Sequence, residues 1–346
     1  MRRSIVWRAP SARWCSEVFG SLLAAACARA TPAVPGPGPA APPMVRVGIL
    51  VDTTEVQLGA TTNLEIINGM TGEVIHRLPP GQTAVVRATL SENLVVSAPA
   101  AEVTVGDMIL ARPENDGFVS IGGRPYRGSA VVRASGPGRV TGINQVDLER
   151  YLLGVVPFEI GRVGPELLEA AKAQAVAART YAIRYLGRRD SLGFDVFATA
   201  VNLVLDGAEG EHDPISEAVR QTTGEILTYD GEPILAYYHS TCAGQTAAID
   251  EVWPDPPQPY LVSVVDINPA TGEAWDATSS RFRWTQVWSA DELEQIFART
   301  LADSLLPGVT DVGEIEDMEV LFRTQSGRIG RMRISTSTAD FYVGRD

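Results

Sequence analysis

One carboxylate in this chain stands where acid chemistry is simple to arrange. In YLLGVVPFEIGRVG (151–164), Glu159 is the sole acidic residue. An apolar run from Tyr151 to Val156 leads into Pro157, and Gly161 and Gly164 follow. Proline before and glycines after argue against a helix running through this point. Glu159 is therefore expected on a loop or strand end, between Phe158 and Ile160. Apolar neighbours disfavour the charged form of a carboxyl group, which moves it toward the range useful for a general acid. The plainer alternative is a solvated loop carboxylate. A second constellation is His239 and Cys242, three residues apart. Cysteine chemistry needs a thiolate paired in space with a base, and this spacing permits the pair without forcing it. The two alone make no metal site, since a structural zinc takes four ligands and a catalytic one at least three. His76, alone in a β-type run, reads as a solvated or core histidine.

These residues must be positioned by the elements around them. PELLEAAKAQAVAARTYAIRYL (165–186) reads as a long Ala-rich helix, with Pro165 at its first position and Glu166 in its first turn. At about 100° per residue, Glu169, Lys172, Arg179, Thr180 and Arg184 gather on one side. Leu167, Ala170, Ala171, Ala178, Tyr181, Ala182 and Tyr185 gather on the other, with Gln174 in their midst. A buried amide needs partners, so Gln174 is expected to tie this helix to a neighbouring loop. Gln174 and Arg179 are read as structural support. From Val45 to about Val140, short runs such as VRVGILV, NLEII, TAVVRATL and EVTVGDMIL give a β-rich module. After the helix, SEAVRQT (216–222) reads as a short helix and Asp230-Gly231 as a hairpin turn. ILAYYHS (234–240) then reads as a strand running into a Cys-Ala-Gly-Gln-Thr loop. RFRWTQVW (281–288) reads as a strand, Ser289 and Glu292 as a capping box opening a helix, and residues 313–336 as a hairpin. The class is α+β, β-rich with one long central helix.

The net charge of −13 argues against nucleic acid as a partner, since no run forms a basic face to neutralise phosphates. Residues 1–30 read as an export signal, with Arg2, Arg3, Arg8 and Arg13 before an apolar run (18–28) too short to span a bilayer. LLAAAC (22–27) resembles the bacterial lipoprotein signal, which makes Cys27 the lipidation candidate. Ordinary cleavage after Ala28-Arg29-Ala30 is the rival. Residues 31–43 are a Pro-, Gly- and Ala-rich linker. With three cysteines, two of them in the leader, no disulfide framework is expected.

The runs INQVDLERYLLGVVPFEI (143–160) and KAQAVAARTYA (172–182) resemble, in order and length, the stage II sporulation protein D family (SpoIID/LytB). The likeness extends weakly over the β-rich part (45–140) and again closely over SEAVRQTTGEILTYDGEPILAYYHSTCAGQT (216–246). It makes 141–346 the SpoIID/LytB core, one that ends early, because family members commonly continue past FYVGRD. The resemblance implies an exported cell-envelope protein. Family members are peptidoglycan lytic transglycosylases, acting on peptide-free glycan strands, or enhancers of cell-wall amidases. It puts Glu159 at the catalytic acid/base position, and Tyr238, His239, Ser240, Gly244 and Thr246 along the glycan cleft. Ala243 departs from a family glycine. In GFDVFATAVNLVLDG (193–207), Leu203 and Leu205 replace a family Gln and Tyr. The Cys and His that bind zinc in some members are missing there, so no metal and no cofactor are expected. The implied partners are peptidoglycan glycan strands and a cell-wall amidase. A hydrolytic muramidase, the third reading, would need a second carboxylate such as Asp195 or Asp250.

Overall fold

The computed structural model describes residues 4–6, 42–198, 205, 207–305 and 312–344. Ser4–Val6 (β1) pairs antiparallel with Val287–Ser289. The rest of the leader, Cys27 and most of the linker lie outside the described residues, as does Leu203. The chain forms two compact units, Ala33–Tyr238 and His239–Asp346, the second joined by Met1–Pro32.

In the larger unit, β-branched residues with alternating burial build a run of short strands. These are β2 (Met44–Thr53), β3 (Val56–Ala60), β4 (Leu64–Asn68), β5 (Val74–Leu78), β6 (Ala84–Ala88) and β7 (Leu94–Ser97). They continue as β8 (Glu102–Val105), β9 (Met108–Pro113), β10 (Val119–Ile121), β11 (Arg124–Tyr126), β12 (Ser129–Gly136) and β13 (Arg139–Asp147). One sheet has the order β11-β10-β3-β6-β7-β8. The other has the order β14-β2-β13-β12-β9-β4-β5, where β14 is Val196–Phe197. Pairing is antiparallel except for β14, which lies parallel to β2. Inward side chains of both sheets, among them Val47, Ile66, Ile109, Leu58 and Val86, share one apolar core. His76 belongs inside it, 8% exposed. The β12–β13 hairpin runs across residues 136–142, and the two compact units part at Tyr238 and His239.

β13 feeds directly into α1 (Leu148–Ile160). This corrects the expected loop or strand end at Glu159. Asp147 caps the helix, its Oδ1 accepting from Arg150 N at 3.0 Å, and the apolar run behind it is buried on nearly every side. Burial against neighbouring elements outweighs the hydrogen bond that Pro157 cannot make. The helix stops at Gly161, whose φ of 80° takes a conformation that side chains disfavour.

A 3₁₀ turn (Pro165–Leu167) then opens α2 (Leu168–Tyr185). The charged side of α2 is covered as well. Arg179 and Thr180 are fully buried, because α1 and α3 (Asp213–Gln221) cover that side. Arg179 Nε and Nη2 donate to the two Glu149 carboxylate oxygens of α1 at 2.8 Å each. Its remaining donors reach Val219 O at 3.3 Å and Glu225 O at 3.1 Å, at and just beyond the C-terminal turn of α3. There the negative end of the helix dipole favours a cation. Thr180 Oγ1 donates to Val176 O and accepts from Leu227 N. The hairpin of β15 (Thr228–Tyr229) and β16 (Glu232–Pro233) turns at Asp230-Gly231.

ILAYYHS is not a strand. Beyond β16 its backbone bonds locally, Tyr237 N to Leu235 O at 2.9 Å. Its side chains pack instead, Ala236 in the core and Tyr237 tilted against Tyr181 of α2 at 6.4 Å.

The smaller unit holds α4 (Ile249–Val252), β17 (Val287–Ser289), α5 (Ala290–Leu305), β18 (Ile315–Arg323), β19 (Ile329–Thr336) and β20 (Asp340–Gly344). The last three form an antiparallel sheet around Val312, Ile334 and Phe341. RFRWTQVW is strand only from Val287. Before that, Ser279 turns the chain, its carbonyl accepting from Phe282 N and its Oγ from Arg281 N. Ser289 and Glu292 cap α5 reciprocally, Ser289 N to Glu292 Oε2 at 2.8 Å and Glu292 N to Ser289 Oγ at 3.2 Å. Among the described residues, no helix is long and apolar enough to cross a membrane.

Candidate functional site

Glu159 lies half-buried in the last turn of α1, between exposed Phe158 and partly buried Ile160. Side chains in a helix lean toward its N-terminus, so Glu159 leans back along α1. Tyr151, two turns earlier on the same helix, is 1% exposed. Burial, and then the charges of Tyr181 and Glu159, push the Tyr151 hydroxyl far above its ordinary range. Tyr238, at the end of the segment that packs on α2, is shifted the same way. Burial leads there too, followed by Glu159, Tyr151 and Tyr181. Glu159 is thus near enough for its charge to act on both hydroxyls, and both stay protonated at every physiological pH.

Gln174 of α2 completes the group. Its amide is close enough to the Tyr238 hydroxyl to favour the ionised phenol slightly, yet the pair does not meet hydrogen-bond geometry. Gln174 Nε2, Tyr151 Oη and Tyr238 Oη are all buried with no hydrogen-bond partner among the described residues. Gln174 therefore does not tie α2 to a loop, as its place on the apolar face suggested. It turns an unused donor into the same neighbourhood. Arg179 sits elsewhere, at the Glu149 end of α1.

One close approach is that of the segment holding Leu205 and Gly207 to α1. Gly154 of α1 has no side chain, and a Cβ there would lie 2.7 Å from Leu205 Cδ1 and 3.1 Å from Gly207 O. Leu205 is 7% exposed and serves as core. Asp195, the candidate second carboxylate of this unit, is committed to Arg46. It accepts from Arg46 Nη2 at 2.6 Å, Arg46 N at 2.9 Å and Gly187 N at 2.8 Å. Burial pushes the Asp195 carboxyl up, but Arg46 and the two backbone amides outweigh it and hold it below the usual carboxylate range.

The other proposed cleft residues belong to the smaller unit. His239 and Ser240 are exposed. Gly244 is buried and has a φ of 90°. Thr246 is occupied in its own loop, with Oγ1 accepting from Val264 N at 2.8 Å. Cys242 is buried and donates its thiol to Asp266 Oδ2 at 3.3 Å. Burial and the Asp266 bond push that thiol up to about 11, the opposite of what a nucleophile needs. The His239–Cys242 couple is therefore not formed. Among the described residues, Cys242, Asp266 and Asp276 are the group whose ligand atoms come together, all within 4.8 Å. They are already bonded as a loop lock, since Asp276 Oδ2 accepts from Cys242 N at 2.6 Å and Ala243 N at 2.8 Å.

Sequence reading missed Tyr151, which looks like one more apolar residue of its run. It also missed the Asp147 cap, although an aspartate directly before an apolar run is a helix-start signal.

Comparison with known proteins adds the following. Residues 137–229, from the β12–β13 turn to the end of β15, match the family model described as Stage II sporulation protein, SpoIID. Residues 271–346 match a domain of unknown function, DUF8618. An uncharacterized protein of Brachyspira hyodysenteriae is 36% identical over 139 residues, 40% of this chain and 37% of that protein. The stage II sporulation protein D of Bacillus subtilis is 29% identical over 218 residues, 58% of this chain and 61% of its own length. The amidase enhancer of Bacillus subtilis is 34% identical over 185 residues, 51% of this chain and 24% of its own length. The chain thus spans less than two thirds of each of these relatives.

Proposed function

We propose that this chain, which carries a SpoIID-family domain over residues 137–229, acts at the bacterial cell wall as a peptidoglycan lytic transglycosylase with Glu159 as its single acid/base. The observation that carries this reading is the place of Glu159. It is a half-buried carboxyl group at the end of α1, inside the matched segment, with its charge bearing on two buried hydroxyls. The negative end of a helix dipole disfavours a second negative charge, which suits a group that starts the reaction as an acid.

A glycosidase needs two carboxyl groups, one to protonate the leaving oxygen and one to act as nucleophile or activate water. A transglycosylase of this kind needs one. Glu159 gives its proton to the glycosidic oxygen between N-acetylmuramic acid and N-acetylglucosamine, and the C1–O bond breaks. The resulting carboxylate takes the proton of the muramic C6 hydroxyl, whose oxygen closes onto C1 as a 1,6-anhydro ring. The proton returns to Glu159 and no water is consumed. Tyr238, His239, Ser240, Gly244 and Thr246 are the proposed glycan contacts. Peptide-free strands are the proposed substrate, and the envelope, reached by export with Cys27 as a lipid anchor or by plain cleavage, is the proposed location.

A second reading is an enhancer of a cell-wall amidase without catalysis of its own. Its support is the amidase-enhancer relative and Leu205, which sits packed in the core where the family resemblance implies a tyrosine. Product analysis separates the two. The full chain and its Glu159→Gln form are incubated with peptide-free glycan strands and the products weighed by mass spectrometry. Anhydro-muramyl ends from the parent and none from the variant support the lytic reading. Intact strands with both refute it and favour the enhancer.

A further inference from the structure

The loop from Cys242 to Gln245 is held in a shape that its sequence does not prefer. Ala243 and Gly244 both have positive φ, 61° and 90°. Glycine takes that conformation freely, whereas alanine takes it against the crowding of its own Cβ. Such strain persists only where the surroundings over-determine it, and it clusters at ligand clamps. Here two charged side chains impose it. Asp276 Oδ2 accepts from Cys242 N at 2.6 Å and from Ala243 N at 2.8 Å. Arg328, in the turn between β18 and β19, donates from Nη2 to Cys242 O at 3.2 Å and from Nη1 to Gln245 O at 3.1 Å. Hydrogen bonds with a charged partner are the stronger kind. That turn is itself tied down, with Ser326 N donating to Glu251 Oε1 at 3.3 Å. Asp276 and Arg328 both lie in the segment of unknown function, 271–346, outside the SpoIID match.

Trp275 stands between residues that touch this loop. Before it, Ala274 Cβ lies 3.3 Å from where a side chain on Gly244 would begin, and after it comes Asp276. Its own N donates to Asp266 O at 3.3 Å. The backbone is thus fixed, while the indole is 64% exposed. Val262 and Val264, whose carbonyls accept from Thr246 Oγ1 and Thr246 N, are exposed too. A large flat side chain on a rigid backbone loses little freedom when it is covered. A ring with an apolar C–H face and a polar rim covers it well, and a sugar is such a ring. We propose that the segment 271–346 presets the Cys242–Gln245 loop for glycan, with Asp276 and Arg328 as positioning residues and Trp275 as the stacking contact for a sugar ring. The inference rests on the reading of this loop as a glycan contact, and not on Glu159 as the acid.

The test is calorimetric titration of the full chain carrying Glu159→Gln with short peptide-free glycan strands, so that binding is read without cleavage. Adding Trp275→Ala is expected to weaken binding about 10-fold with an unchanged melting temperature, because the indole is exposed. Trp275→Phe keeps a flat ring and is expected to retain most of the affinity. Arg328→Ala is expected to weaken binding about 5-fold through loss of the preset loop. Arg328→Lys still reaches one carbonyl and is expected to recover part of that loss. Absence of binding, or binding of Trp275→Ala and Arg328→Ala within about twofold of Glu159→Gln alone, overturns the inference. With Glu159 intact, anhydro ends formed as fast by Trp275→Ala as by the parent at low strand concentration overturn this inference alone. The expected losses of binding in a chain that leaves strands intact keep it and overturn the transglycosylase reading alone.

Discussion

Replacing Glu149 by Gln strips the charge from one partner of a buried ion pair and leaves the shape. Arg179 is fully buried and Glu149 nearly so, with side-chain exposures of 0% and 19%. The guanidinium keeps Val219 O and Glu225 O, but two charge-assisted bonds of 2.8 Å become bonds to a neutral amide that can accept through one atom only. Removing one partner of such a pair costs about 3–5 kcal/mol, and because the amide still accepts one bond the low end, about 3 kcal/mol, applies. For a unit of this size 1 kcal/mol moves Tm by about 2–4 °C, so Glu149→Gln is expected to melt about 6–12 °C lower. The double variant Glu149→Met with Arg179→Met buries no lone charge and should recover most of that loss. Thermal melts of the full chain, followed by circular dichroism at pH 7, measure both. A fall under about 2 °C for Glu149→Gln, or strictly additive losses in the double variant, would refute the idea that this pair joins α1, α2 and α3.

Other consequences follow from the same packing. Asp195 is held below its unfolded value, so its stabilisation is complete above about pH 5 and is lost as the pH falls through the folded value. Asp195→Asn should therefore be less stable at pH 7 and show a flatter loss of stability between about pH 4 and pH 2 in urea titrations. Gly154→Ala drives a methyl against Leu205 and the Gly207 carbonyl and should cost about 1–3 kcal/mol, read as a lower urea midpoint with an unchanged slope. With a thiol shifted to about 11, Cys242 should react with a disulfide reagent at pH 8 roughly 100-fold more slowly than a free cysteine. Reaction at the free-thiol rate in the folded protein would contradict that burial.

The α+β class and the long α2 were legible because period and composition carry them. The Ser289–Glu292 cap was legible because its chemistry is local. Glu159 as the residue of interest was legible for a local reason too, as the one carboxylate in its run. Its setting was not. Pro157 and Gly161 mark a helix end in the sequence, and only the packing of Tyr151, Leu152, Val155 and Val156 against other elements shows that the helix precedes that end. Arg179 was read as structural support, but its partner was not, for a similar reason. Its partner Glu149 is 30 residues away, and a wheel sorts charges to solvent without knowing which neighbours cover them. Gln174 was placed correctly on the apolar face, but the inference that its amide must be bonded failed, since its Nε2 meets no partner among the described residues.

The most direct test of the central claim is digestion of peptide-free glycan strands in water enriched in 18O, with the new ends analysed by mass spectrometry. Ring closure by the C6 hydroxyl consumes no water, so the account expects anhydro ends without 18O, formed by the parent and not by Glu159→Gln. Ends carrying one 18O would mean that water attacks C1, and would contradict the single-carboxyl mechanism.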